Sequence, residues 1–369
     1  MLEVAEITRL HGAAYRAQVG TRLLPSQARA LRDLEACRTA YFGGHRAQCD
    51  HCTQQVSVYH SCGNRHCPKC HRDQTDRWLA QQRARLLPCP YYLLTFTLPS
   101  ELRALARAHQ KVIYGLLMRC AAAALHTLAR DPRYLGASIG CLAVLHTWTR
   151  AMRYHPHVHL LVTAGGLSAG EAQWIAPKNP AYLVPVRALS VIFRAKMCAA
   201  LKHAGLFTDV PVTLWKNNWV VHAQPAGRGH QVLEYLARYV FRIAISNSRL
   251  ERIEDGQVTF RYRDNHSQQL RRVTLPALAF LARFLQHVLP RGCTKVRYYG
   301  IWSSARRTHL TQARAHLSAP SSSDTAVPRP VVPVPDLPAR PSTPSLCPRC
   351  RVGHLIILDV LPPQRKVPP

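Results

Sequence analysis

Two closely spaced Cys-x-x-Cys pairs constrain the fold of this sequence more than any other feature. Cys49 and Cys52 form the first pair, and Cys67 and Cys70 form the second, with fourteen residues between them. Four thiolates at this spacing suit the tetrahedral coordination of structural zinc, whereas buried or redox-active cysteines are the alternative interpretation. We predict one structural zinc ion (Zn²⁺) that is held by these four cysteines.

Further potential zinc ligands lie near these pairs. Four residues interleave with them in the sequence and could hold a second zinc ion: Cys37, His45, Cys62 and His66. Near the C-terminus, Cys347 and Cys350 form a third pair that no other cysteine pair follows. The sequence leaves open whether this last pair binds metal or belongs to a docking tail.

The chain carries a large excess of positive charge. Its 49 Lys and Arg residues outnumber 19 Asp and Glu residues, which gives a formal net charge of +30 over 369 residues. Such a field attracts a polyanion, and we predict DNA as the partner. The sequence shows neither a signal peptide nor an apolar run of the ~18 residues that a membrane span needs. We therefore expect a cytoplasmic protein with no membrane partner.

Changes in composition divide the chain into four segments. Residues 1–88 are rich in Cys and His and are predicted to form a zinc-binding domain. In residues 89–312, apolar strands alternate with helical segments, which predicts an α+β domain with a mostly antiparallel central sheet flanked by helices. Residues 313–345 are proline-rich and predict a disordered linker, and residues 346–369 form a C-terminal tail.

Hydrophobic periodicity places the secondary-structure elements. Predicted strands cover residues 91–99, 141–148, 157–165, 218–224, 257–264 and 295–302. Predicted helices cover residues 100–130, 190–204, 230–243 and 275–288.

Two histidines share one face of the strand at 157–165. Because side chains alternate along a strand, His157 and His159 project side by side while the residue between them points the other way. Neutral imidazoles are good ligands for a divalent cation, which makes this pair a candidate metal site. A pair of hydrogen-bonded surface histidines is the alternative.

The helix at 230–243 adds candidate nucleophiles. Tyr235 and Tyr239 are four residues apart at the border of its apolar stripe, and Arg238 and Arg242 lie just beyond them on the helical wheel. The tyrosine hydroxyls could attack a phosphodiester that the arginines hold. Two amphipathic tyrosines at the edge of a core are the alternative.

A phenol ionises only near pH ~10 in water, so a tyrosine nucleophile needs assistance. A divalent ion on the histidines would polarise the scissile phosphate and stabilise charge on the departing 3′ oxygen. The resulting 5′-phosphotyrosine conserves the energy of the phosphodiester, so rejoining needs no ATP. The sequence agrees, because it contains no G-x-x-x-x-G-K-[ST] loop.

Several ordered stretches between residues 20 and 310 resemble the two-tyrosine, rolling-circle insertion-sequence transposases of the IS91 type. These stretches are CRTAYFGGH, SCGNRHCPKC, HPHVHLLVTAGGLS, LVPVRALS, YLARYVFRIAISN and VRYYGIW. The resemblance implies an HUH (His-hydrophobe-His) endonuclease fold. It also implies nicking of single-stranded DNA at the element's ends, with Mg²⁺ or Mn²⁺ as cofactor and covalent tyrosine intermediates.

The resemblance also implies roles for particular residues. His157 and His159 match the metal pair, and Tyr235 and Tyr239 match the nucleophiles. The predicted zinc ligands match those of the family's zinc domain: Cys49, Cys52, Cys67 and Cys70. The third metal ligand stays open among Gln224, Glu234 and His146. The loop HAQPAGRGH differs from the family, which more often has a Lys-Pro-Phe-Gly-type loop there.

Two other functions remain open at this point. A non-catalytic, zinc-dependent DNA-binding protein from a decayed element would keep the basic charge but would not need both histidines and both tyrosines. A plasmid replication initiator or relaxase would use the same chemistry as the transposase.

Overall fold

The computed structural model describes residues 2–70, 72–179, 183–208, 210–240, 244–264, 267–318 and 346–365, except for the side chains of residues 72, 73, 238 and 239. Contacts divide the chain into two compact units. The terminal unit comprises residues 1–72, 245–288 and 326–369, and the sheet unit comprises residues 73–244 and 289–325.

The α-helices in the described residues are α1 (Val4–Val19), α2 (Pro25–Glu35), α3 (Arg72–Arg85), α4 (Arg103–Ala108), α5 (Gln110–Arg130), α6 (Val186–His203), α7 (His230–Val240), α8 (Ala277–Leu285) and α9 (Arg307–Ser318). The strands are β1 (Gly44–Cys49), β2 (Gln55–Tyr59), β3 (Tyr91–Thr97), β4 (Gly140–Trp148), β5 (Tyr154–Thr163), β6 (Gly166–Leu167), β7 (Trp174–Ile175), β8 (Val221–Pro225), β9 (Leu250–Glu254), β10 (Gln257–Arg263), β11 (Leu270–Pro276), β12 (Val296–Gly300) and β13 (Leu355–Leu361).

The sheet unit is built around a five-stranded antiparallel sheet in the order β12-β4-β5-β3-β8. Every residue of β4 is buried, because helices cover both faces of the sheet. Helices α5 and α6 pack on one face, and apolar residues of α7 pack on the other. The prediction of an α+β fold with a mostly antiparallel sheet and flanking helices is confirmed.

Helix α5 is the one described helix that is long and apolar enough to span a membrane by length and composition. Of its most apolar window, 72% is buried inside the protein. The core helix of a soluble protein passes the same test, and the packing of α5 against α6 and the sheet fits that explanation.

The terminal unit contains two smaller antiparallel sheets, β13-β1-β2 and β11-β10-β9. Helices α1, α2 and α8 pack against one another. The sequence of α8 explains its position, because its apolar residues recur at helical spacing and Phe280 and Phe284 are fully buried. Phe280 packs edge-on against Phe260 of β10, with ring centroids 6.1 Å apart.

The observed units differ from the predicted segments. Helix α3 lies within the predicted zinc domain, but it belongs almost wholly to the sheet unit. Strand β10 and helix α8 lie within the predicted α+β domain, but they belong to the terminal unit. Helix α9 extends to Ser318, so the predicted linker at 313–345 begins inside a helix, and its residues 319–345 lie outside the described residues. Composition along the chain cannot reveal these exchanges, because segments distant in sequence share each core.

The helix predicted at 100–130 is interrupted. A 3₁₀ turn at Ser100–Leu102 leads into α4, and His109, with φ −120° and ψ 46°, separates α4 from α5. These angles lie outside the helical region, so the apolar periodicity continues across a break in the backbone.

Candidate active site and metal centres

Three histidines come together where β4 lies beside β5. Antiparallel pairing sets His146 directly opposite His157, and Val144 opposite His159. Cross-strand partners project from the same face of a sheet, so the His146 imidazole joins the pair on β5. The register of the two strands shifts immediately after His146, and such irregularities often re-aim side chains next to active sites.

The three imidazoles are close enough to share one ion. Their ring centroids lie 4.4 Å apart for His146 and His159, 4.9 Å for His157 and His159, and 5.2 Å for His146 and His157. One nitrogen from each ring lies within 4.8 Å of the others. Among the described residues this is one of three groups that could hold a metal ion.

Hydrogen bonds orient the two rings on β5. The Nδ1 atom of His157 lies 2.7 Å from the carbonyl oxygen of His155, which can only accept, so Nδ1 carries the proton and Nε2 is left with its lone pair. The Nδ1 atom of His159 lies 2.9 Å from the Thr95 hydroxyl. Its Nε2 is buried and has no hydrogen-bond partner in the part of the chain that the structure describes. Both rings therefore present Nε2 to the shared space, as metal-binding histidines do.

Burial keeps these imidazoles neutral. Desolvation lowers the pKa of His157 to about 4 and that of His159 to about 3, and it lowers the pKa of His146 well below its ordinary value. The neighbouring imidazoles lower the pKa values of His146 and His159 further. At neutral pH all three rings are in the uncharged form that binds a cation.

The structure distinguishes among the three candidates for the third ligand. His146 lies within the cluster. The carboxylate of Glu234 instead forms an ion pair with Arg83. Gln224 is exposed on β8, where it pairs with Leu93 of β3. Strand β3 therefore separates it from β5, the strand that carries His157 and His159.

Helix α7 brings Tyr235 to this face of the sheet. Leu233 and Leu236 are buried in the same apolar cluster as Val144, which shares the face of His159. Tyr235 is partly buried beside them, and its ring meets that of His159 edge-on with centroids 6.1 Å apart. One predicted nucleophile therefore lies next to the predicted metal pair.

The other predicted site residues of this helix lie wholly or partly outside the described residues. Tyr239 belongs to α7, but its side chain and that of Arg238 are outside the described residues. Arg242 lies wholly outside them.

Lys295 is a candidate site residue that we did not predict. It directly precedes β12, its carbonyl accepts a hydrogen bond from the backbone N–H of Leu145, and it is buried. Its ammonium lies 5.7 Å from the ring centroid of Trp148, which stacks on His146 at 5.5 Å. The positive charge of Lys295 also lowers the pKa of His146. The sequence signal is faint, because one lysine among 49 basic residues is distinguished only by its place before a strand.

Two glycines after β5 allow close backbone contact. A Cβ atom on Gly165 would lie 2.6 Å from the carbonyl oxygen of Ile175, and one on Gly166 would lie 2.3 Å from that of Ser138. Gly165 also has a φ of +121°, which L-residues rarely adopt.

The cysteines of the terminal unit form two clusters, but not the predicted ones. Cys67 and Cys70 lie with Cys37 and Cys62, whereas Cys49 and Cys52 lie with the C-terminal pair Cys347 and Cys350. The predicted set of Cys49, Cys52, Cys67 and Cys70 therefore divides between two sites. The spacing rule failed because it joins the pairs that are nearest in sequence, and folding instead brings a pair from the other end of the chain.

The first cluster, Cys37/Cys62/Cys67/Cys70, has sulfur–sulfur distances of 3.6 to 3.8 Å. A tetrahedral site with Zn–S bonds of ~2.3 Å has edges of about 3.8 Å, so these distances suit zinc. Two of the residues predicted for a second ion, Cys37 and Cys62, are thus in a cluster, and the other two, His45 and His66, are not. The His66 Nδ1 atom instead lies 3.1 Å from Asn64 Oδ1, and the His45 ring packs against His60.

Comparison with known proteins places the chain in a family. A family model described as a transposase zinc-binding domain matches residues 7–98, and one described as a putative transposase matches residues 140–309. The putative transposase y4qJ of Sinorhizobium fredii is 41% identical over 383 residues, which cover 97% of this chain and 95% of that protein.

The transposase for insertion sequence element IS801 of Pseudomonas savastanoi pv. phaseolicola is 30% identical over 297 residues, which cover 73% of this chain and 70% of that protein. No solved structure matches the chain at a significant level. The resemblance noted in the sequence is confirmed, and the zinc-binding domain agrees with the cysteine clusters of the terminal unit. The chain therefore belongs to the IS91-type transposases that carry an N-terminal zinc-binding domain.

Proposed function

We propose that this transposase nicks and rejoins single-stranded DNA at the ends of its insertion sequence through 5′-phosphotyrosine intermediates. The observation that carries the proposal is the position of Tyr235, whose ring lies against one of three neutral imidazoles on the sheet, two of them buried and one, His157, half-buried. Binding to DNA alone would not require this arrangement, which argues against a non-catalytic protein from a decayed element.

The three histidines would hold the divalent cofactor. The buried Nε2 atom of His159, which lacks a hydrogen-bond partner within the described residues, and the tautomer of His157 both fit that role. When bound, the ion would polarise the scissile phosphate and stabilise charge on the departing oxygen. Imidazole suits transition metals better than Mg²⁺, so we expect Mn²⁺ to support the reaction better than Mg²⁺ does.

Tyr235 would act as the nucleophile. Its hydroxyl loses a proton to solvent, and its oxygen forms a bond to the phosphorus while the bond from phosphorus to the 3′ oxygen breaks. The 3′ oxygen leaves and takes up a proton, and the 5′ end stays on the tyrosine. Attack of a 3′ hydroxyl on this intermediate restores a phosphodiester and frees the tyrosine. Tyr239, one helical turn further along α7, would serve a second strand transfer.

The buried ammonium of Lys295 would contribute positive charge close to His146. This ammonium would stabilise charge that develops on a phosphate more strongly than it would in water, because it is buried. Arg238 and Arg242 stay predicted contacts of the DNA backbone. The net charge of +30 supports DNA as the partner, and the bacterial cytoplasm is where such DNA is found.

Structural zinc would be held by the cluster Cys37/Cys62/Cys67/Cys70. Its thiolates lie at tetrahedral spacing and join the end of α2 to the turn before α3. The ion would stabilise the terminal unit and would take no part in the chemistry.

The experiment that tests the proposal is detection of a covalent protein–DNA adduct. Labelled single-stranded oligonucleotides from the element's ends are incubated with the full chain and Mn²⁺ and are separated by denaturing electrophoresis. Mass spectrometry then identifies the modified tyrosine. We expect an adduct on Tyr235 or Tyr239, its loss in the Tyr235→Phe/Tyr239→Phe double variant, and its retention in the control Tyr134→Phe. An adduct that persists in the double variant would refute the assignment of the nucleophile.

A further inference from the structure

We propose that the C-terminal pair Cys347 and Cys350 completes a second structural zinc site with Cys49 and Cys52, and that this ion fastens the end of the chain to the zinc-binding domain. The Sγ atoms of Cys49 and Cys350 lie 3.7 Å apart, and those of Cys52 and Cys347 lie 3.6 Å apart. These distances match the edges of a tetrahedral zinc–thiolate site, which are about 3.8 Å.

The two cysteine pairs fold into similar turns, one around each pair. The backbone N–H of Cys49 donates to the carbonyl of Gln54, and the N–H of Cys347 donates to the carbonyl of Gly353. The carbonyl of each first cysteine then accepts from the residue four positions later, Thr53 or Arg351.

Thr53 and Arg351 both adopt left-handed backbone angles, with φ values of +57° and +58°. A non-glycine residue with positive φ is uncommon, so its occurrence at the same position of both turns indicates a common structural demand. Wrapping a peptide turn around a metal ion is such a demand.

Backbone N–H groups point at a cysteine sulfur in each turn. The N–H groups of His51 and Cys52 lie 3.4 Å from the sulfur of Cys49. In the C-terminal turn, the N–H of Gly353 lies 3.4 Å from the sulfur of Cys350. Hydrogen bonds of this kind favour the thiolate, which is the form that binds zinc.

The surrounding residues lock the two turns together. Asp50 and His354 exchange hydrogen bonds: the His354 N–H donates to Asp50 Oδ1 at 2.7 Å, and the Asp50 N–H donates to the His354 carbonyl at 3.0 Å. A Cβ atom on Gly353 would lie 2.5 Å from Asp50 Oδ1 and 2.6 Å from the sulfur of Cys49. Only glycine fits this position without displacement of a ligand.

Strand β13 needs such an anchor because it buries little apolar surface. It pairs with β1 along its length, yet four of its apolar side chains are between 47% and 72% exposed: Ile356, Ile357, Leu358 and Val360. Burial therefore contributes little to holding this strand in place. An ion bound by cysteines 295 or more positions apart in the sequence would supply the missing link.

The proposal is tested by counting zinc in the full-length protein with native mass spectrometry and elemental analysis. The Cys347→Ser/Cys350→Ser variant should lose one zinc per chain and keep the ion of the cluster Cys37/Cys62/Cys67/Cys70, whose retention shows that the domain still folds. The matched control Cys198→Ser, in α6 of the sheet unit, should lose none.

Hydrogen exchange supplies an independent measurement. In the double serine variant, the amides of β13 should exchange at least about tenfold faster than in the wild type, whereas the amides of β4 and β5 should not change. A Gly353→Ala variant, which keeps all four thiols, should show a smaller increase in the exchange rate of the same β13 amides. An unchanged zinc count in the double variant, or a disulfide in place of zinc in the wild type, would overturn the proposal.

Discussion

The histidine site and the cysteine clusters assemble their ligands in opposite ways. His146, His157 and His159 come from adjacent strands, and the pairing of the sheet fixes their mutual positions. The cysteine ligands come mostly from turns and loops, including both ends of the chain, and of the eight only Cys49 belongs to a strand, where it ends β1. A sheet can hold a site rigid before an ion arrives, whereas sites made of turns depend on the ion for their order.

The largest effect should follow from removal of the cluster Cys37/Cys62/Cys67/Cys70. The Cys37→Ser/Cys70→Ser variant should lose one zinc and much of the stability of the terminal unit, because structural zinc contributes on the order of 10 kcal/mol in small zinc-binding domains. The loss of stability is measured by thermal unfolding that is monitored by hydrogen exchange. The affinity of the sheet unit for Mn²⁺ should not change, and a parallel loss there would contradict the contrast between the two kinds of site.

Removal of the histidine ligands should have the reverse pattern. A His157→Ala/His159→Ala variant should form the covalent DNA adduct at least ~10³-fold more slowly, since it loses charge stabilisation worth several kcal/mol. Its unfolding temperature should not fall, because deletion of two neutral imidazoles that crowd one another leaves the apolar layers of the sheet in place. Adduct formation is timed on gels, and stability is measured by calorimetry.

His155 provides the matched control for that experiment. Its ring centroid lies 5.3 Å from that of His157, but its Nδ1 faces Arg103 and it is not part of the cluster. His155→Ala keeps the backbone carbonyl that orients His157, so we expect an almost unchanged rate. A loss as large as that of the double variant would show that the ligand set is misassigned.

The two regions also differ in how far the sequence could predict them. His157 and His159 were predictable because alternation along one strand fixes the face of each residue. His146 was one of three open candidates, because only the pairing register of β4 with β5 brings it opposite His157. The position of Tyr235 at the border of the apolar stripe was predictable from helical periodicity. Its distance from His159 depends on how α7 packs against the sheet, which the sequence of one helix does not determine.

For the cysteines, local spacing was misleading. Each Cys-x-x-Cys turn is a local feature, so all three pairs were recognised. Which pairs combine depends on the path of the chain between them, and for Cys52 and Cys347 that path is 295 residues long. The α+β fold was predictable for a related reason, since strands and helices are local patterns, whereas the assignment of β10 and α8 to the terminal unit is not local.

A smaller effect should come from the residue that orients a histidine ligand. Thr95→Val removes the hydroxyl that lies 2.9 Å from His159 Nδ1 and nearly preserves the side-chain shape. Loss of such an outer partner typically weakens metal binding by about 10- to 100-fold. Titration of adduct formation against Mn²⁺ should therefore show a higher requirement and nearly full recovery at saturation.

Thr97→Val is the control for this change. Thr97 lies opposite His157, whose Nδ1 donates to a backbone carbonyl instead of a side chain. The Mn²⁺ requirement of this variant should match that of the wild type. An equal shift in both variants would mean that the strand tolerates no valine there, and that orientation of His159 is not the cause.

The smallest effect should come from the ion pair of Arg46 with Asp359, which links β1 to β13. Both side chains are about half exposed, so water screens the pair, and exposed pairs of this kind contribute at most about 1 kcal/mol. Asp359→Asn should therefore lower the free energy of unfolding in urea by less than that amount and should leave the zinc count unchanged. If Asp359→Asn released β13 as completely as Cys347→Ser/Cys350→Ser does, surface charge and not the metal would hold the end of the chain.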